Sequence, residues 1–74
     1  MSAFEKVEDC IWIYSDDWLS YCASDRVKYK LIENYPEAFV YSERDHDDHH
    51  DGWNVFIEFK DDTDEAEFIL RESI

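Results

Sequence analysis

Apolar and polar positions alternate most regularly between Trp53 and Lys60. Trp53, Val55, Ile57 and Phe59 fall on one side of the alternation, and Asn54, Phe56, Glu58 and Lys60 on the other. A period of two is the pattern of a strand with one buried face. Residues 53–60 are therefore predicted as a strand, with Phe56 the one apolar residue on its polar side. Upstream, Phe39 and Tyr41 alternate with Val40 and Ser42 in a shorter run of strand-favouring residues. The two runs should pair as an antiparallel hairpin. Their connection, Asp45-His46-Asp47-Asp48-His49-His50-Asp51-Gly52, ends in the only glycine of the chain, where a positive φ angle costs least.

The period changes on either side of this hairpin. Asp62 and Glu65 have the spacing of a capping box, and the acids of Asp61-Asp62-Thr63-Asp64-Glu65 would sit at the positive end of a helix dipole. Ala66, Ile69, Leu70 and Ile74 then recur at helical spacing as the expected buried stripe. Nearer the start, Cys10-Ile11-Trp12-Ile13-Tyr14 is short, apolar, β-branched and aromatic, which favours a buried strand. Ser15, followed by Asp16 and Asp17, suits an N-cap. Leu19, Ala23, Val27, Leu31 and Tyr35 form a helical stripe, with a break expected at Ser24-Asp25 and a stop at Pro36. The predicted fold is α+β: a small antiparallel sheet with helices on one face, a ferredoxin-like β-α-β-β-α unit lacking its last strand. Residues 1–74 make one small domain.

Such a domain is near the lower limit of what one core can hold together. Three Trp, five Tyr and five Phe compensate, because each aromatic side chain buries a large area. They also separate this chain from a disordered acidic tail, which the net charge of −13 would otherwise suggest. Twenty acids against seven bases exclude direct binding to nucleic acid or to an anionic membrane, both of which need cationic surface. A basic protein is the natural partner. The first residues lack the basic and then apolar regions of a signal peptide, and no apolar run approaches a membrane span. A soluble, cytoplasmic protein is expected, with Cys10 and Cys22 as buried free thiols.

A resemblance adds to this reading. Trp53-Asn54-Val55-Phe56-Ile57-Glu58-Phe59-Lys60-Asp61-Asp62, then Glu65-Ala66-Glu67-Phe68-Ile69-Leu70-Arg71, resembles the closing strand and helix of small uncharacterised proteins of T4-type tailed phages. Leu31-Ile32-Glu33-Asn34-Tyr35-Pro36-Glu37-Ala38 is similar to the helix end and strand entry that precede them. The resemblance implies a phage ancestry and, by itself, no function. The histidine loop and the acidity depart from the family pattern. In its acidity the chain also resembles the DNA-mimic inhibitors of bacterial defence systems.

The acids are the main candidate site. Glu43 to Glu67 holds eleven acids against two bases, Arg44 and Lys60. Carboxylates spaced on a folded surface can stand in for phosphates and neutralise the lysines and arginines of a nucleic-acid-binding protein. The residues expected to do so are Glu43, Asp45, Asp47, Asp48, Asp51, Asp61, Asp62, Asp64, Glu65 and Glu67. The expected function is inhibition of a host nucleic-acid-binding protein, such as a restriction or CRISPR effector, a defence nuclease or a transcription component. The alternative is an adaptor or assembly module that binds through an aromatic and apolar face, its acids serving only solubility. Tyr21, Tyr29 and Phe56 are the expected exposed aromatics.

A third reading is metal-dependent folding through His46, His49 and His50, since imidazole and carboxylate suit a transition metal. The spacing fits neither a calcium loop nor a metalloprotease helix. An exposed polar turn explains the same residues. Arg26, Lys28 and Lys30, the one basic cluster, are expected to pair with nearby acids. No nucleophile lies beside a base and no glycine loop is present to hold phosphate, so neither an enzyme nor a cofactor is expected.

Overall fold

The computed structural model describes residues 4–14, 19–46 and 51–72. Two strands, β1 (Phe4–Glu8) and β2 (Ile11–Tyr14), form an N-terminal hairpin, followed by helix α1 (Tyr21–Asn34). A second, longer hairpin, β3 (Phe39–His46) and β4 (Asp51–Glu58), leads to helix α2 (Asp62–Glu72). The four strands form one antiparallel sheet in the order β1-β2-β4-β3. The fold is α+β, as the hydrophobic periods imply.

The strand, helix, strand, strand, helix succession expected from the sequence corresponds to β2, α1, β3, β4 and α2. β1 is additional, and it takes the sheet edge beside β2. Its sequence, Phe-Glu-Lys-Val-Glu, hides the strand because only Phe4 is a strong apolar anchor. Charged residues are common on edge strands, where they discourage pairing with another chain. A register shift between Lys6 and Glu8 further breaks the regularity of this edge.

Residues opposite one another across the ladders share a face. Phe4 pairs with Tyr14, Tyr14 with Val55, Trp12 with Ile57, and Val40 with Ile57. These side chains meet the core formed by Leu19, Leu31, Tyr35, Val55, Ile57, Phe59 and Phe68. Phe68 is its hub, with ring centroids of Phe4, Trp12 and Phe59 at 4.9, 5.2 and 5.0 Å. Both helices bury their inward residues in this one core, so they lie on the same face of the sheet.

Helix α1 begins later than the sequence suggests and is unbroken. Ser20 is its N-cap, accepting from the Ala23 N–H at 3.1 Å. The expected Ser15 cap lies outside the described residues. Ser24 does not break the helix, because its buried hydroxyl donates to the Tyr21 carbonyl at 2.7 Å. The stripe from Leu19 to Tyr35 faces the core as expected, and the helix ends before Pro36.

Two further expectations are corrected. Gly52 lies within β4, opposite Asp45, and has no positive φ. The ladder continues to the pair His46 and Asp51, so only residues 47–50 connect the strands. The left-handed backbone belongs instead to Cys10, at φ 66° in the β1–β2 turn. On α2, Ala66, Ile69 and Leu70 face outward, Leu70 being 69% exposed, and Ile74 lies outside the described residues. The buried side of α2 is Glu65 and Phe68. An aromatic ring three residues from a carboxylate does not register as an apolar stripe.

Candidate protein-binding surface

The ten acids expected to bind a partner divide into two groups and two separate residues, Glu65 and Glu67. Asp61, Asp62 and Asp64 gather where β4 passes into α2. Asp61 is the N-cap, its Oδ1 accepting from the Asp64 N–H at 3.0 Å. The cap is thus one residue earlier than the capping-box spacing suggests. Asp62 is exposed, and half-buried Asp64 lies 4.0 Å from the Lys60 Nζ. Lys60 also pairs with Glu37.

The second group lies toward the far end of the long hairpin. Glu43 is exposed on β3, while Asp45 and Asp51 occupy the last ladder positions, opposite Gly52 and His46. Asp47 and Asp48 lie outside the described residues. The eight paired positions between Phe39↔Glu58 and His46↔Asp51 separate the two acidic ends by about 23 Å, at roughly 3.3 Å per residue. Glu67, exposed on α2 and paired with Arg71 at 3.1 Å, belongs to neither end.

Glu65 is different, and its assignment as a partner-binding acid is corrected. It is only 8% exposed. Its Oε2 accepts from the Cys10 N–H at 2.9 Å and the Trp12 Nε1–H at 3.0 Å, and lies 3.4 Å from the Lys6 Nζ. The Trp12 bond, then the Cys10 amide and Lys6, hold its carboxyl below the ordinary glutamate pKa against the opposing effect of burial. A buried carboxylate already engaged by two N–H donors and an ammonium ties α2 to the β1–β2 turn and is not free to meet a partner.

Cys10 completes this knot. Its carbonyl accepts from the Phe59 N–H at 2.8 Å, and its thiol reaches Asp62 Oδ1 at 3.5 Å. Cys10, Asp62 and Glu65 bring three potential metal-ligand atoms within 4.8 Å of one another. Burial first, then the Asp62 bond and nearby carboxylates, push the thiol pKa up. The protonated thiol is a poor metal ligand and nucleophile, and Lys6 already supplies the cation that Glu65 needs. Both thiols are free, but Cys10 is half-buried and Cys22 exposed, against the expectation that both are buried.

The histidine site is only partly visible. His46 closes the β3–β4 ladder opposite Asp51, while His49 and His50 lie outside the described residues. Arg26, Lys28 and Lys30 make no ion pair with a described acid, which corrects the expected pairing. Lys30 instead borders a cavity of about 240 Å³ between α1 and the first hairpin, beside Phe4, Tyr14 and Tyr35. The Tyr35 hydroxyl is buried there without a hydrogen-bond partner among the described residues. Small-molecule sites usually begin at about 300 Å³.

The sheet face opposite the helices carries a feature only partly anticipated. Glu5, Ile13, Phe56 and Tyr41 form a row across all four strands. Ile11, Glu58 and Phe39 form the next row, and Asn54 with Glu43 the row on the other side. The Tyr41 and Phe56 rings stack at 5.0 Å with planes 12° apart, and Phe39 lies 5.3 Å from Tyr41. Phe39 is 63% exposed. Phe56 breaks the alternation of β4 and signals this face in the sequence, as does the unalternating run in β2. Tyr21 and Tyr29 are exposed as expected, though on α1 and away from this face, whereas Phe56, also expected to be exposed, is half-buried.

Searches against family models, curated proteins and solved structures gave no match.

Proposed function

We propose that this protein binds a basic, nucleic-acid-binding protein and blocks its cationic groove by presenting carboxylates where phosphates would lie. The observation that carries the reading is the pair of acidic groups at opposite ends of the long hairpin, about 23 Å apart, with Glu43 exposed toward one end and Asp61 and Asp62 at the other. Two separated clusters can engage cations along a groove, as a stretch of duplex backbone does, whereas one compact cluster would meet only a single point. The resemblance to phage proteins supports a phage origin and a host defence nuclease, restriction or CRISPR effector, or transcription component as target. The corresponding location is the host cytoplasm. Among the described residues no helix is long and apolar enough to cross a membrane.

The test is capture of partners from bacterial lysate at about 0.1 and 0.5 M salt, followed by competition with duplex DNA. A nucleic-acid-binding protein held at low salt, released at high salt and displaced by DNA is the expected result. Glu43→Lys and Asp62→Lys together, one at each acidic end, should abolish its capture without unfolding the protein, since both acids are exposed. Binding that survives these reversals overturns the reading. The open aromatic face favours a second reading, an adaptor held by apolar contacts, whose complex would persist at both salts and ignore DNA.

A further inference from the structure

We infer that the outer sheet face formed by half-buried Ile11, Ile13, Tyr41 and Phe56 with exposed Phe39 is the docking surface, and that it receives arginine side chains of the basic partner by stacking. The inference rests on the proposed function and specifies its contact.

Strands covered on one face are expected to be apolar on that face alone. Here the same central strands carry Trp12, Tyr14, Val55 and Ile57 toward the helices, and Ile11, Ile13 and Phe56 away from them. Both helices are already committed to the inner face. None of the five outer apolar residues belongs to the core cluster. A second layer of apolar side chains beyond what the fold uses marks a surface meant to be covered.

The charges around it select what covers it. Glu5 ends the central row, Glu58 lies between Ile11 and Phe39, and Glu43 stands beside Asn54 at the next register position. A second copy packed face to face would set these carboxylates against their own images, in chains that each carry −13. Nucleic acid stacked on the rings would bring its phosphates to the same carboxylates. A guanidinium satisfies both parts of the surface: its plane stacks on Tyr41, Phe56 or Phe39 while its N–H groups reach a flanking glutamate. An ammonium ion is a compact, strongly hydrated charge and lacks the stacking plane.

The test uses the full chain with two probes of equal charge, octa-arginine and octa-lysine, in calorimetric titrations at low salt. Octa-arginine should bind roughly tenfold more tightly, with amide shifts centred on Ile13, Tyr41 and Phe56. Phe39→Ser and Tyr41→Ser should each reduce that preference, and Phe39 is exposed enough that its loss leaves the fold intact. Equal affinities for the two peptides overturn the inference. So does an arginine preference unchanged in both variants, or displacement of the same amide signals by a single-stranded oligonucleotide. The two readings fail separately. A captured nucleic-acid-binding protein that still binds Phe39→Ser and Tyr41→Ser at full strength overturns this surface and leaves the proposed function standing. Arginine preference on this face, with no such protein captured, upholds the surface and removes the proposed function.

Discussion

Glu65 shows how one residue can look like surface charge in a sequence and act as a bolt in the fold. Its carboxylate serves the Cys10 amide, the Trp12 indole and the Lys6 ammonium, which come from the first hairpin more than fifty positions away in the chain. Glu65→Ala would strip the indole and the amide of their acceptor, at a cost of about 2–3 kcal/mol in urea unfolding. The pH dependence has a defined sign. Because the folded-state pKa lies below the ordinary value of 4.5, this contribution is fully present above that value and is lost as pH falls through the folded one. The difference between wild type and Glu65→Gln, followed by urea unfolding from pH 7 to 3, isolates the bolt. It should be largest above pH 4.5 and shrink below it. At Cys10, φ 66° is unfavourable for a residue with a Cβ. Cys10→Gly should raise the urea midpoint at unchanged slope, because relief of the backbone outweighs the loss of an exposed 3.5 Å thiol contact to Asp62.

At the scale of elements, α2 gives the sharpest contrast between spacing and packing. Counting apolar residues assigns its inner face to Ala66, Ile69 and Leu70, whereas the fold buries Phe68 and Glu65. Phe68→Ala should cost about 3–5 kcal/mol and leave little native circular dichroism in so small a domain. Leu70→Lys should stay within about 0.5 kcal/mol of wild type. The reverse order would mean that α2 packs by its apolar stripe after all. β4, its pairing with β3 and the Leu19-to-Tyr35 stripe were legible because their periods are clean and their apolar residues unambiguous. β1 was not, since a charged edge strand is recognised only by what it pairs with. Ser24 predicted a break because a serine side chain competes locally for backbone hydrogen bonds, and whether it does so depends on tertiary burial. The candidate surface was half legible. Phe56 stood out as an exception to alternation, but only the sheet order joins it to Ile13, Tyr41 and Phe39.

For the molecule as a whole, charge and shape set one further expectation. The chain extends 38 Å along its long axis and 21 Å across, and one group of its acids stands at each end of the long hairpin. Screening reaches about 10 Å at 0.1 M salt and about 3 Å at 1 M. Repulsion between the two ends, about 23 Å apart, is therefore already weak at 0.1 M. Repulsion within each end, between neighbours such as Asp61 and Asp62, persists until salt is much higher. The isolated protein should gain stability over the range from 0.1 to 1 M sodium chloride, by about 5–10 °C in Tm if screening recovers one to two kcal/mol. The proposed complex should weaken over the same range, because the carboxylates that repel one another in the free protein are those that attract the partner. A melting temperature that climbs while partner affinity falls assigns both effects to the same acids. A melting temperature that stays flat would mean that the Lys6, Lys60 and Arg71 ion pairs already neutralise the local repulsion. The acidic ends would then have no unspent charge with which to imitate a phosphate backbone.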